Sequence, residues 1–152
     1  MVLHRTTIRD DIGQSFVELA LVLPVFILLL VGAAEIGRLA YASIEVSNAA
    51  RAGVAYGAQN HTTASDSPGI RLAATQDAPN IPNITAIATQ VCICSNGTSI
   101  TCANAGTNCV LPGRIIESVQ VTTSAAIDTL FHLPAIPNTV TMRGQATMRV
   151  EQ

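Results

Sequence analysis

Residues 19–34, LALVLPVFILLLVGAA, contain no charged side chain and no strongly polar one. With Phe16, Val17 and Glu18 added, the run reaches the roughly 20 residues that carry an α-helix across a bilayer. No other feature narrows the possible folds as much. A soluble helix buries one face and wets the other, and is rarely apolar all round. The run therefore predicts a membrane-spanning helix over 14–34. Glu18 stands at its edge. A carboxylate is costly in hydrocarbon, and an acid inside a span is a functional candidate by default. Its plainer reading is a charge at headgroup depth, where an anion suits the N-terminal end of a helix dipole.

A cleaved signal peptide is the alternative, since Gly32, Ala33 and Ala34 before Glu35 resemble a small-residue cleavage site. Three features oppose it. The segment before the run carries Asp10 and Asp11 beside Arg5 and Arg9, whereas a signal's first region is net positive. The apolar run is longer than a signal core. A helical pattern also continues beyond it, in EIGRLAYASIEVSNAARAGVAYGAQ. There Ile36, Leu39, Ala40, Val46, Ala50, Gly53, Val54 and Gly57 recur at helical spacings. Glu35 and Arg38 stand three apart, close enough to pair on one face. Ala49, Gly53 and Gly57 form a small-residue stripe, which either admits another backbone closely or is plain Ala-rich helix. One helix is expected from near Phe16 to near Gly57, with an amphipathic extension over 35–58. Pro24 is expected to kink its first half or free a carbonyl there.

Beyond 58 the pattern changes. QNHTTASDSP, 59–68, reads as a polar loop, and 69–78 as a short helix broken by PNIPN. Residues 84–94 alternate as a strand, followed by an Asn-Gly turn and a short strand. Residues 117–127 form a strand with Val119 and Val121 on one face. DTLFHLPAIPN is a Pro-bounded loop. Residues 139–151 alternate again: Val140, Met142, Gly144, Ala146, Met148 and Val150 share one face, with polar residues on the other. The fold class is α+β: a long N-terminal transmembrane and amphipathic helix, then a small antiparallel-sheet domain over 59–152. The amphipathic half-helix is placed to cover that sheet.

Chemistry is sparse. Every basic residue is Arg, the net charge is −2, and no basic block stands out, which argues against a nucleic-acid partner. No nucleophile elbow, phosphate loop or zinc-protease motif is present. His4, His61 and His132 are scattered and read as surface or loop residues. No enzyme, cofactor or metal is expected. The cysteines are spaced C-x-C-x7-C-x6-C as Cys92, Cys94, Cys102 and Cys109. Zinc sites favour C-x2-C pairs, so two disulfides are the preferred reading over free thiols or a metal. On a strand Cys92 and Cys94 point the same way and cannot easily join each other. Two connectivities to Cys102 and Cys109 remain open. Disulfides imply an oxidising compartment outside the cytoplasm.

GQSFVELALVLPVFILLLVGAAEIGRLAY, followed by VSNAARAGVAYG and closing in ATMRVE, resembles the TadE-like family of pilus assembly proteins. These are minor pilins or pseudopilins of the Flp, tight-adherence, type IV pilus system of bacteria. The likeness is strong over 13–57 and returns at 140–151. The resemblance implies a pilin-like fold and a structural, non-enzymatic role in pilus assembly. It implies a leader over 1–13, cut by a prepilin peptidase at Gly13–Gln14, which makes Glu18 the fifth residue of the mature chain. Asp10 and Asp11 depart from the more basic leader usual in such proteins. It further implies that Glu18 pairs with the new α-ammonium at Gln14 and sets register between subunits. Implied partners are membrane lipid, the peptidase, other pilins or pseudopilins, and Tad assembly-platform proteins. The implied location is the bacterial inner membrane, single-pass, with the C-terminal domain outside the cytoplasm or in a pilus. The alternative is an anchored or secreted disulfide-stapled binding domain.

Overall fold

The computed structural model describes residues 8–104, 109, 114–130 and 137–151, with backbone alone for 8–12 and 104. His4 and Arg5 near the N-terminus, and His132 in the segment expected as a Pro-bounded loop, lie outside the described residues. Helix α1 runs Ile8–Gly57, α2 His61–Ser65 and α3 Ser67–Gln76. Strands follow as β1 Thr85–Cys94, β2 Ser99–Ile100, β3 Ile115–Asp128 and β4 Thr139–Arg149, with a 3₁₀ turn at Cys102–Asn104. Contacts divide the chain into two units, Met1–Arg38 and Leu39–Gln152.

In the first unit α1 begins eight residues before the expected Phe16. The Gly13–Gln14 bond therefore lies within helix. Pro24 is inside α1 and brings no N–H, so the Ala20 carbonyl loses its usual intrahelical donor. Arg38 Nη2 donates to Glu35 Oε1 at 3.1 Å, the pair expected from their spacing.

The second unit is an antiparallel sheet in the order β2-β1-β3-β4, with helices on one face. Alternation decides which face. Val119, Val121, Thr123, Ala125 and Ile127 of β3 are buried, and their neighbours in sequence are not. Val119 and Val121 pack with Ala50 and Val54 of α1 and with Ile70 and Ala74 of α3. Ala125 and Ile127 pack with Ala42, Val46 and Ala49 of α1, and with Ala78 and Ile81 after α3. Burying each large aliphatic here contributes about 1.5–3 kcal/mol.

The small-residue stripe is part of this contact. A Cβ on Gly53 would stand 3.0 Å from Ala74 Cβ, and one on Gly57 would stand 2.9 Å from Ile70 Cδ1. The stripe therefore seats α3 and the sheet of its own chain. Across from it, a Cβ on Gly144 of β4 would lie 2.6 Å from the Val46 carbonyl oxygen. Thr123 Oγ1 donates to that same oxygen at 2.6 Å, which fixes helix to sheet by a polar contact within an apolar layer.

The segment 59–68, expected as loop, holds α2 and the start of α3. Two local caps make the difference. Asn60 Oδ1 accepts from Thr63 N–H at 2.9 Å, and Thr63 Oγ1 accepts from Asn60 N–H at 3.1 Å. Asp66 Oδ1 then accepts from Gly69 N–H at 3.1 Å, and Pro68 occupies the first turn of α3, where its missing N–H costs little. α3 accordingly starts earlier than the expected 69. Strands β1, β3 and β4 fall close to the expected segments, and Gly97, with φ +88°, makes the Asn-Gly turn between β1 and β2.

Candidate functional site

The candidate site is the apolar part of α1 with its single acid. Phe16, Leu21, Leu28 and Leu29 are each more than 60% exposed, and the whole apolar window is free of burial inside the protein. A core helix of a soluble protein would be mostly covered. This one is long and apolar enough to cross a membrane. Glu18 is exposed on it, within one turn of Phe16, Val17, Leu19 and Leu21. Gly13, Gln14 and Glu18 share α1, and the space where a Gly13 side chain would be is open. Such a helix can dissolve in hydrocarbon or pack against other helices, and its carboxylate can meet a cation there.

The second feature is the stapled end of the sheet. Cys92 joins Cys102 and Cys94 joins Cys109. This is one of the two pairings left open by the strand geometry. Cys92 and Cys94 project from the core side of β1 and are buried. Four sulfurs held in two disulfides leave no thiolate to ligate a metal, and no group of three or more His, Cys, Asp or Glu gathers among the described residues.

A third feature escaped the sequence reading. Glu117 is buried on the core side of β3, opposite Cys92 of β1. Its Oε1 accepts from Gln90 Nε2 at 2.6 Å, and its Oε2 pairs with His61 Nδ1. His61 keeps most of its ring exposed, as a surface residue does, and ties the start of α2 to the sheet. The signal was in the alternation: Glu117 shares parity with Val119 and Val121, so a carboxylate on that face had to find partners. Nearby, Tyr56 of α1 donates to Asp66 Oδ2 at 3.0 Å. That hydrogen bond, helped by the negative charge of Asp66, raises the Tyr56 hydroxyl above its ordinary pKa.

Fold and site together define a class: one exposed apolar helix of membrane-spanning length, joined in sequence to a small disulfide-stapled α+β unit. Residues 13–55 match the family model described as TadE-like protein, the family that the sequence resembles. The match begins at Gly13 and covers less than half of the chain. No curated protein and no solved structure matches the chain.

Proposed function

We propose that this protein is a TadE-like pseudopilin, a minor pilin that serves assembly of a Flp-type pilus by helix packing. The observation that carries the reading is the match over 13–55, which contains Gly13, Gln14, Glu18 and the exposed apolar run. In this reading residues 1–13 are a leader and 14–34 the span. Residues 35–58 extend the helix, and 59–152 form the extracytoplasmic domain. A prepilin peptidase cuts Gly13–Gln14, and the helical backbone there unwinds to enter the enzyme.

The cut creates an α-ammonium four residues before Glu18. In hydrocarbon, two opposite charges gain far more from pairing than in water, and one left alone is strongly disfavoured. A subunit therefore favours the axial position at which its own or a neighbour's ammonium meets Glu18. The buried disulfides suit a domain matured outside the cytoplasm. Partners are lipid, other pilins or pseudopilins, and the Tad platform.

N-terminal sequencing of the mature protein tests the reading. A chain starting at Gln14 is expected. A start at Glu35 would favour a secreted disulfide-stapled binding domain instead. Retention of Met1 would remove the ammonium on which the register role depends.

A further inference from the structure

The two edges of the sheet differ. At one edge β2 has 2 residues, and β1 beside it is tied by both disulfides. Short strands of this kind are a common way to keep a sheet edge from pairing with another chain. At the other edge β4 has 11 residues and pairs with β3 in one unbroken register from Thr139 to Arg149. It contains no proline, lysine or bulge, and its only charged side chains are Arg143 and Arg149.

The direction of its backbone groups follows from the bonds at its ends. Val150 N–H donates to the Glu117 carbonyl, and the Asn138 carbonyl accepts from Thr129 N–H. Even-numbered positions therefore turn their polar groups toward β3. By alternation, Thr141, Arg143, Gln145, Thr147 and Arg149 turn theirs toward the outer edge, where no strand pairs with β4 among the described residues. Glu151, next in that series, donates its N–H away from β3, to the Ala58 carbonyl. The edge-facing residues are also those whose side chains are exposed on the outer face.

We propose that β4 pairs with β4 of a second copy, antiparallel, about a two-fold axis at Gln145. Core and outer faces continue across such a seam only if odd positions stand opposite odd ones. The edge-facing residues then become hydrogen-bonded pairs: Gln145 with Gln145, Arg143 with Thr147, Thr141 with Arg149. No two arginines oppose one another. An axis one residue on, at Ala146, would set Arg143 directly against Arg149, which is unfavourable. An axis at Gly144 would oppose two glycines that have no side chains to pack. The axis at Gln145 also puts Met148, 45% exposed on the core side of β4, opposite Met142 of the second copy. The seam covers that thioether chain. This inference is independent of the pilus reading.

The test uses the full chain in detergent micelles, with mass measured by light scattering across a dilution series. The wild-type chain is expected to dimerise. Gln145→Lys and Gln145→Glu each place like charges against each other at the axis, and each is expected to weaken the dimer several-fold. An equimolar mixture of the two is expected to restore it, because Lys then faces Glu. Gln145 is exposed on the outer face, so far-UV circular dichroism is expected to stay at the wild-type spectrum for both. A wild-type chain that stays monomeric overturns the proposal, even if another protein's strand fills the edge. So does a Gln145→Glu chain that dimerises as well as wild type.

Discussion

Gly144 shows how far one hydrogen atom can matter. A methyl group there meets the Val46 oxygen at 2.6 Å and the Ser47 Cα at 2.7 Å, both backbone atoms that cannot rotate away. Gly144→Ala must push α1 off the sheet, and overpacking of this kind costs about 1–3 kcal/mol. Thermal unfolding followed by circular dichroism is expected to show a clearly lowered midpoint. Gly37→Ala is the control. Nothing lies within 4 Å of its added carbon, and alanine favours helix over glycine by up to about 1 kcal/mol. A Gly144→Ala midpoint equal to that of wild type would refute the close-approach account.

Glu117 makes the same point with charge: Glu117→Ala leaves the half-buried Gln90 amide without its acceptor and frees His61 from the sheet, and costs about 1–3 kcal/mol. Tyr56 offers a reading in pH. Its hydroxyl titrates above the ordinary 10.0 because the neutral form donates to Asp66. A raised folded pKa means the stabilisation is fully present below the ordinary value and lost as pH climbs through the folded one. The chain has two tyrosines, so in a Tyr41→Phe background the ultraviolet phenolate signal reports Tyr56 alone. Asp66→Asn is expected to lower that titration point.

At the scale of elements, long patterns were readable and short ones were not. β4 could be assigned face by face, because a half-buried strand must alternate and one slip would turn every side chain over. The stripe at Ala49, Gly53 and Gly57 was legible as a place of close approach. What approaches was not, since the partner, α3 with the sheet, is distant in sequence. α2 was missed because 5 residues hold too few apolar positions for a period. Its existence rests on caps. Asn60→Ala removes the acceptor for Thr63 N–H and is expected to cost about 0.5–2 kcal/mol. Hydrogen exchange is the better measurement, with faster exchange expected at α2 and little change in β3. Uniform loss of protection across the sheet would instead mean that α2 is integral to the core. The start of α1 lies earlier than expected, because the change from polar residues to the apolar run is a change of composition, and α-helix continues across it.

For the molecule as a whole, two properties of α1 must be separable if the proposed function is right. Insertion into a bilayer depends on the apolar run, and assembly depends on Glu18. Glu18→Gln removes a charge that would cost about 2.5–3.5 kcal/mol at the centre of a span and less at its edge. It should therefore insert at least as well as the wild type. The same change removes the counter-charge for the Gln14 ammonium, so register is lost. Membrane fractionation and pilus recovery read the two properties independently. The expected result is a chain found wholly in the membrane fraction, with the wild-type mature N-terminus, from cells that have lost most of their pili. Leu28→Arg should do the reverse at the first step: it sets a charge amid exposed leucines and depletes the membrane fraction itself. Normal piliation with Glu18→Gln would leave the acid as no more than a headgroup-level charge. Failure to insert would mean that the carboxylate orients the helix in the bilayer before any subunit meets another.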